Sequence, residues 1–269
     1  RVNAGQDVVV EVAGGGTDTV VSTVSYTLAA GADVERLMGQ STTGLTLTGN
    51  ALNNELTGGA GEDTLIGGLG NDTYFLDTGA DMVVEAANQG IDRIYVRINY
   101  SLELAQNVEQ LYAQGSVGQV LTGNGLNNTI VGAGFADALS GGAGNDTLSG
   151  AAGDDVLTGG AGVDSMAGGL GIDTFVFNAA SESTATLRDV IVDFTSGTDR
   201  IDLRGIDASS LIGGDQAFAF ATAAAAHSVW AVTSTTNMLL RGDVTGDLLA
   251  DFEVFLTGAT RVLATDLFL

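Results

Sequence analysis

The residues GGAGNDTLSGAAGDDVLTGGAGVDSMAGGLGIDTFV, at positions 141–176, decide the fold because they read as four consecutive blocks of nine. The blocks follow the pattern G-G-x-G-x-D-x-U-x, in which U is a large apolar residue; the one departure is Ala151 at the second glycine position of the second block. A shorter run with the same pattern, GGAGEDTLIGGLGNDTYF, occupies residues 58–75. A period of nine of this kind is typical of a parallel β-helix, in which six residues form a turn and three form a short strand.

The apolar position of each block predicts the core. Side chains alternate between the two faces of a strand, so the U residue of an x-U-x strand points inward. We expect a narrow core built from Leu65, Tyr74, Leu148, Leu157, Met166 and Phe175. Two blocks complete one coil, so turns that are two blocks apart should lie side by side. Asp146 would then meet the turn of Asp164, and Asp155 the turn of Asp173.

The turns also predict metal ligands. Glycines permit a positive φ and let backbone carbonyl groups converge where a Cβ would obstruct them. The aspartate adds a charged oxygen, and Ca²⁺ takes about six to eight oxygen ligands in flexible geometry. We therefore predict several Ca²⁺ ions. The predicted carboxylate ligands are Asp63, Asp72, Asp137, Asp146, Asp155, Asp164 and Asp173, beside the turn glycines Gly58, Gly67, Gly141, Gly150, Gly159 and Gly168.

Three of the predicted ligands are expected to be weaker. Asn54 and Asn128 occupy the aspartate position at the entry to each glycine-rich run, and an amide oxygen binds Ca²⁺ less strongly than a carboxylate. The turn of Asp137 has lost two of its glycine positions. The alternative for the whole region is a flexible, low-complexity Gly/Ala/Asn tract. Such a tract would not place an aspartate and an apolar residue at the same two positions of every nine-residue block.

A longer repeat covers the first half of the chain, roughly residues 1–76 and 77–150. This 74-residue repeat is eight blocks of nine plus two residues, and the phase of the aspartates places the insertion between Asp81 and Asp92. Strands are still expected over Ile91–Asn99, Val108–Tyr112 and Val120–Leu121. Arg1-Val-Asn aligns with the middle of a repeat unit, so we expect the chain to be cut from a longer polypeptide.

The nine-residue blocks resemble those of secreted bacterial RTX proteins. The resemblance implies a right-handed parallel β-roll, Ca²⁺ in the turns and export through a type I secretion channel. The predicted fold is therefore all-β: a parallel β-roll or β-helix solenoid with a C-terminal β-sandwich-like cap.

The C-terminal region resembles the C-terminal domain of serralysin-type metalloproteases. The similar residues are Val190-Ile-Val-Asp-Phe-Thr-Ser-Gly-Thr-Asp-Arg-Ile-Asp-Leu203, the segment Gly242-Asp243 to Ala250-Asp-Phe252, and the ending Asp266-Leu-Phe-Leu. In that family an acidic residue followed by apolar residues at the C-terminus belongs to the type I export signal. The same ending is also suited to a last β-strand that docks on the cap, and the two roles are compatible.

Composition limits the partners. The net charge is −24, with nine arginines and no lysine, so the surface repels nucleic acid and anionic lipid and attracts divalent cations. Cysteine is absent, which excludes disulfides and zinc–thiolate sites. No apolar run reaches the roughly 18 residues needed to span a membrane, so we expect no membrane insertion. No N-terminal signal peptide pattern is present.

The chain carries no recognisable catalytic constellation. H-E-x-x-H, G-x-S-x-G and the P-loop pattern are absent, and His227 is the only histidine. Asp243, Asp247 and Asp251 are spaced by four residues, which fits either a plain turn with solvated acids or a further Ca²⁺ loop. We therefore expect a binding module rather than an enzyme, and leave the activity of a longer parent protein open.

Three regions are predicted: residues 1–122, a degenerate roll with glycine-rich turns at 49–75; residues 123–176, a regular roll; and residues 177–269, the cap with the secretion signal. The predicted function is that of a secreted, extracellular or cell-surface module, which folds on binding Ca²⁺ after export and stabilises or presents a larger protein. Two alternatives stay open. One is a surface-layer or adhesin segment that self-assembles through Ca²⁺ or contacts cell-surface polysaccharide, and the other is the C-terminal part of a secreted hydrolase or polysaccharide-modifying enzyme.

Overall fold

The computed structural model describes residues 1–5, 7–11, 14–210, 216–234 and 236–269. Its described residues form short β-strands and three single-turn 3₁₀ helices, Leu102–Leu104, Ala180–Glu182 and Ala264–Asp266. The chain divides into two compact units, residues 1–115 and 116–269. The all-β parallel solenoid predicted from the nine-residue blocks is confirmed.

The first unit is a coil of very short parallel strands. Each strand is followed by a turn that carries the chain to the opposite sheet, so odd-numbered strands β1 to β11 pair in one sheet and β2, β4, β6 and β8 in another. The strands are β1 (Thr19–Ser22), β2 (Tyr26–Thr27), β3 (Arg36–Gly39), β4 (Thr46–Thr48), β5 (Glu55–Thr57), β6 (Thr64–Ile66), β7 (Thr73–Leu76), β8 (Met82–Val84), β9 (Arg93–Val96), β10 (Tyr100–Ser101) and β11 (Gln110–Ala113).

The register of the first unit locates the two-residue insertion. Glu55 pairs with Thr73, two nine-residue blocks later, whereas the partner of Thr73 is Arg93, two positions beyond that spacing. The longer coil contains the segment between Asp81 and Asp92, as the 74-residue repeat predicts. The strands expected over Ile91–Asn99 and Val108–Tyr112 are present as β9 and β11. The insertion is therefore absorbed in a turn, and the strands on either side keep their parallel pairing.

The second unit begins with the same two-sheet coil. The strands are β12 (Val120–Thr122), β13 (Thr129–Val131), β14 (Ala138–Ala143), β15 (Thr147–Ala152), β16 (Val156–Ala161), β17 (Ser165–Leu170), β18 (Thr174–Val176), β19 (Asp189–Ile191), β20 (Arg200–Asp202), β21 (Ala219–Ala221), β22 (Ser228–Ser234), β23 (Asn237–Gly242), β24 (Phe252–Leu256) and β25 (Leu267–Phe268). One sheet has the order β13-β15-β17-β19-β24-β23-β22-β21 and the other β12-β14-β16-β18-β20-β25.

Parallel stacking continues beyond the last regular block. Ser165 in β17 pairs with Val190 in β19, and Thr174 in β18 pairs with Arg200 in β20, through longer loops than in the preceding coils. Strands β24, β23 and β22 then extend the first sheet, with β22–β23 and β23–β24 antiparallel. Strand β25 adds to β20 in parallel. The C-terminal strands are thus continuous with the sheets of the roll.

The core of each unit is a narrow layer between its two sheets. The residues predicted from the U position are all buried, with at most 1% of each residue's surface exposed: Leu65, Tyr74, Leu148, Leu157, Met166 and Phe175. They lie in register between coils, as when Leu148 pairs with Met166 and Leu157 with Phe175. Fully burying one such side chain contributes roughly 1.5–3 kcal/mol, so the inward-facing side chains of the two sheets supply much of the hydrophobic stabilisation of each unit.

Among the described residues, no helix has both the length and the apolar character that a membrane crossing requires.

Candidate calcium-binding turns

The turn Gly150–Asp155 shows how a regular block is built. Oδ1 of Asp155 accepts a hydrogen bond of 2.7 Å from the backbone N–H of Asp137, one coil earlier. Oδ2 of Asp155 is buried and has no hydrogen-bond partner. A Cβ on Gly150 would lie less than 3.0 Å from that oxygen, so only glycine leaves the space beside Oδ2 open. The turn therefore holds a buried carboxylate oxygen, without a partner, in a pocket of backbone.

The same arrangement recurs in each regular block. The aspartates whose Oδ2 atoms are buried without a partner are Asp63, Asp72, Asp146, Asp155, Asp164 and Asp173. Each faces the first glycine of its own block, and a Cβ there would clash with the carboxylate: Gly58, Gly67, Gly141, Gly150, Gly159 and Gly168. A buried polar atom without a partner is costly, so a repeated row of them indicates a ligand that completes the turns.

Turns that are one coil apart are in direct backbone contact, as predicted. Gly160 has φ +98°, and a Cβ there would overlap the carbonyl oxygen of Gly142; Gly169 meets the carbonyl of Ala151 in the same way. Carbonyl oxygens from one coil therefore lie against the glycines of the next. Carboxylate and carbonyl oxygens without nitrogen or sulfur donors are the ligand set that suits Ca²⁺.

The metal-free turns are electrostatically strained. Burial raises the pKa of Asp72 and of Asp146 to about 7, and that of Asp155 to about 6, from an ordinary value of 3.8. The neighbouring carboxylate one coil away raises each pKa further, and the backbone N–H donated to each carboxylate lowers it. A divalent cation would offset both the burial and the repulsion of these groups.

The three ligands expected to be weaker are held differently. Oδ2 of Asp137 accepts a hydrogen bond of 2.6 Å from the N–H of Ala133 in its own turn. Oδ1 of Asn54 accepts from Asn50 N–H, and Oδ1 of Asn128 accepts from the N–H four residues before it, both at 2.7 Å. Their oxygens therefore close the local turn, which gives a structural reason for ranking them below the regular aspartates.

The comparisons with known proteins fall on the same segments. The family model described as "Peptidase M10 serralysin C terminal" matches residues 114–269, and "RTX calcium-binding nonapeptide repeat (4 copies)" matches residues 48–83. The first match covers more than half of the chain. The chain belongs to the serralysin C-terminal family. It carries RTX calcium-binding repeats in a β-roll, so the coarse function of this serralysin-type module is extracellular calcium binding.

Two curated relatives are metalloproteases of Pseudomonas. The chain is 42% identical over 93 residues to Metalloprotease AprA of Pseudomonas entomophila (strain L48), a match that covers 33% of this chain and 19% of the relative. It is 39% identical over 89 residues to Metallopeptidase AprA of Pseudomonas marginalis, covering 33% and 18%. The matches thus span about a fifth of the length of these relatives.

Two solved structures are also similar. The AlgE6R3 subunit of the Azotobacter vinelandii mannuronan C5-epimerase is 31% identical with a TM-score of 0.41, over 53% of this chain and 78% of that one. The AlgE6R2 subunit of the same enzyme is 26% identical with a TM-score of 0.43, over 56% and 91%.

The serralysin-type region contains one turn aspartate that the sequence did not reveal. Oδ1 of Asp189 accepts a hydrogen bond of 2.8 Å from Asp164 N–H, and its Oδ2 is buried without a partner. Burial raises the pKa of Asp189 to about 8. Asp189 was missed because it follows Asp164 by 25 residues instead of 18. The signal that could have found it is the short D-x-U pattern of Asp189-Val-Ile.

Two other acidic groups of the serralysin-type region are structural. Asp243 is fully buried, and its carboxylate accepts hydrogen bonds from the N–H groups of Gly246 at 2.6 Å and Leu248 at 2.8 Å. Asp251 accepts from Val244 and Thr245 at 2.9 and 3.0 Å, so these acids shape the turn. Asp247 is exposed. Asp243 is thus not the solvated acid that a plain turn predicted.

The C-terminal ending is folded into the roll. Asp266 is fully buried, and its carboxylate accepts hydrogen bonds from Ser196 Oγ at 2.6 Å and from the N–H groups of Gly197 and Leu263, both at 2.9 Å. Because β25 follows at once, this anchor fixes the last strand beside β20. The docking of a last strand, expected from the Asp266-Leu-Phe-Leu ending, is confirmed.

Proposed function

We propose that this chain is an extracellular Ca²⁺-binding module that folds when the ion fills its turns, after export by the type I route, and that stabilises or presents a larger exported protein. The observation that carries this proposal is the row of buried aspartate Oδ2 atoms without partners in the regular turns. Each lies where only a glycine leaves room, so the sequence of every block preserves space for a ligand at that oxygen.

The proposed ligands are of two kinds. The carboxylates are those of the regular turns, Asp63, Asp72, Asp146, Asp155, Asp164 and Asp173, joined by Asp189. Backbone carbonyls of stacked turns would supply the remaining oxygens. Asp137, Asn54 and Asn128 would contribute less, because their side-chain oxygens already accept a backbone N–H in their own turns.

The magnitude of the effect follows from the number of sites. Extracellular Ca²⁺ modules have Kd values of about 10⁻⁴–10⁻³ M. At ten times Kd, each independent site would add roughly 1.4 kcal/mol to the free energy of unfolding. Several sites would together exceed the net stability of many small domains, so Ca²⁺ would decide whether the roll is folded.

Charge supports an unfolded state when Ca²⁺ is scarce. The net charge is −24 and the chain has no lysine, so repulsion between its acidic side chains opposes the compact state. The buried carboxylates also resist ionisation in the metal-free coil. Inside a cell, where free Ca²⁺ is low, the chain would stay loose enough to pass a secretion channel. The buried Asp266 and strand β25 belong to the folded form, so an export signal at this ending would be accessible only before folding.

Two parent proteins are compatible with such a module. The AprA relatives are metalloproteases, and the matches span about a fifth of their length. This similarity favours a parent protein that is a secreted hydrolase, with this chain as its C-terminal part. The 74-residue repeat over roughly residues 1–150 favours a structural segment of a surface protein, in which Ca²⁺ also joins subunits.

Circular dichroism and calorimetric Ca²⁺ titration of chelated protein test the proposal. We expect a coil-to-β transition with a midpoint on the order of 10⁻³ M Ca²⁺, and no such transition with Mg²⁺, which demands a smaller octahedral site. A β-rich spectrum that chelator leaves unchanged would contradict Ca²⁺-driven folding and would favour the structural surface segment.

A further inference from the structure

The widened turn of the first unit brings a third acidic side chain to a regular turn. The segment from Glu85 to Asp92 stacks on the turn of Asp72, and Asp72 N–H donates to Asp92 Oδ1 at 2.7 Å. This coil spans 20 residues instead of 18. Glu85 follows Gly67 by 18 residues, in the regular register that Ile66 and Val84 also keep, so it stands where its own block would have the first glycine. The two extra residues lie between Glu85 and Asp92.

The three carboxylates converge. One oxygen each from Asp72, Glu85 and Asp92 lies within 4.8 Å of the others. Asp72 is fully buried, and its Oδ2 has no hydrogen-bond partner. Oε2 of Glu85 is also buried without a partner, while Oε1 accepts a hydrogen bond from the hydroxyl of the buried Tyr74. Tyr74 thus fixes one oxygen of Glu85 and leaves the other facing the cluster.

The charges of this cluster are not balanced. Burial raises the pKa of Asp72 and of Glu85 to about 7, and that of Asp92 to about 6. Asp92 raises the pKa of Asp72 further, and Asp92 and Asp72 raise that of Glu85. The pKa of Asp92 is raised by Glu109 and lowered by the nearby charge of Arg93. One arginine beside one of the three groups does not neutralise the set.

We propose that Asp72, Glu85 and Asp92 form a separate Ca²⁺ site, created where a glutamate replaces the first glycine of a block and the turn that follows it is two residues longer. All three donors are hard oxygens, and ligands of one Ca²⁺ at about 2.3–2.6 Å are at most about 5 Å apart, which matches the observed cluster. The inference deepens the proposed function, since Asp72 is among its ligands. It adds Glu85 and Asp92, which the nine-residue pattern does not predict.

Tyr74 makes this site distinguishable from the others. Tb³⁺ binds Ca²⁺ sites, and its emission is sensitised by an aromatic ring close to the ion. The U residues of the regular blocks in the second unit are Leu148, Leu157, Met166 and Phe175, whereas here the U residue is a tyrosine that contacts a proposed ligand. Tb³⁺ emission excited through tyrosine should therefore report on this site.

The test compares Glu85→Gln with Glu103→Gln, an exposed glutamate of the same unit, in the full chain. We expect Glu85→Gln to lower tyrosine-sensitised Tb³⁺ emission at least fivefold and to remove one ion from the calorimetric Ca²⁺ count. Glu103→Gln should change neither. An unchanged ion count and emission in Glu85→Gln would overturn the proposal, even if dichroism showed that Ca²⁺ still folds the chain.

A second variant protects the test against misfolding. Tyr74→Phe keeps the buried ring and all three carboxylates, so it should retain the Ca²⁺ count and lose most of the sensitised emission. Undiminished emission from Tyr74→Phe would place the bound ion elsewhere and overturn the proposal. If dichroism instead shows no Ca²⁺-driven folding but the Glu85 and Tyr74 variants behave as expected, the local site stands and Ca²⁺-driven folding does not.

Discussion

The backbone N–H of Asp146 donates to Oδ1 of Asp164, 2.8 Å away and one coil later, while Oδ2 of Asp164 is buried without a partner. The two oxygens of one carboxylate therefore have separate tasks. One oxygen joins neighbouring coils through a hydrogen bond, and the other is available to a cation. This division explains why an aspartate recurs every nine residues, since an amide or an alanine could not perform both tasks.

Asp155→Asn tests the available oxygen. The amide keeps an acceptor for Asp137 N–H but replaces the charged oxygen beside Gly150, so we expect roughly tenfold weaker Ca²⁺ binding at that site, or about 1.4 kcal/mol. Calorimetric titration measures the loss. Asp137→Asn is the matched control, because Oδ2 of Asp137 already accepts Ala133 N–H. It should change the affinity less than threefold, and equal effects of the two variants would refute the distinction between these turns.

Gly150→Ala tests the space beside the carboxylate. The new methyl group would overlap Oδ2 of Asp155 and the carbonyl of Gly168, so we expect both weaker Ca²⁺ binding and a loss of about 2 kcal/mol of stability in Ca²⁺. Thermal unfolding would show a lower Tm. Gly125→Ala serves as the control, because a Cβ there meets no atom within 4 Å. Comparable shifts in the two variants would mean that glycine serves only chain flexibility.

The metal-free roll should be stabilised by acid. Burial raises the pKa of Asp146 to about 7 and that of Asp189 to about 8, from 3.8. Between about pH 4 and pH 8 the folded chain then holds protons that the unfolded chain has released, so the free energy of unfolding falls as the pH rises. We expect any residual structure in chelated protein to melt at a higher temperature near pH 5 than near pH 8.

Calcium should reverse this trend. The carboxylate ligands must be deprotonated to bind, so Ca²⁺ affinity increases with pH over the same window. Melting curves at several pH values, with chelator and with saturating Ca²⁺, measure both slopes. A chelated protein whose Tm rises from pH 5 to pH 8 would show that the turn aspartates ionise freely without the metal.

Asp266→Asn tests the anchor of the last strand. Its buried carboxylate accepts hydrogen bonds from Ser196, Gly197 and Leu263, and charge-assisted bonds of this kind contribute about 1.5–3 kcal/mol. We expect a loss of about 2 kcal/mol and faster hydrogen exchange in β25, measured by mass spectrometry in Ca²⁺. Asp247→Asn, at an exposed carboxylate, should leave both unchanged. Unaltered exchange in Asp266→Asn would mean that backbone pairing with β20 is sufficient.

The sequence predicted the fold because the nine-residue phase ties three physical requirements to fixed positions. A buried apolar residue, a glycine without Cβ and a carboxylate must each recur once per half-coil, so Leu148 and Met166 could be placed in the core from the pattern alone. The position of the insertion near Asp92 could also be predicted, because the same two extra residues occur in both copies of the 74-residue repeat. The number of residues in a coil can thus be predicted wherever the nine-residue pattern is present.

Other features depend on hydrogen bonds that residue types do not reveal. The lost glycines ranked the turn of Asp137 below that of Asp155, but the residue types did not show that Oδ2 of Asp137 accepts a backbone N–H while Oδ2 of Asp155 has no partner. Asp189 was hidden by a longer loop, and the convergence of Glu85 on Asp72 depends on how the two inserted residues fold. The nine-residue spacing cannot predict these three features, because each depends on the backbone conformation of one turn.

The hydrogen bonds that the carboxylates of the regular turns accept from the preceding coil share one polarity. Asp137 N–H donates to the side chain of Asp155, and Asp155 N–H donates to that of Asp173, so each of these donors finds its acceptor in the coil that follows it in the chain. When a chain grows from its N-terminus, the aspartate N–H of the last coil lacks its acceptor, because the coil that carries this carboxylate has not yet been synthesised. A chain that emerges with its C-terminus first presents a finished template to each arriving coil. Each of these side-chain hydrogen bonds therefore forms only once the following coil is in place.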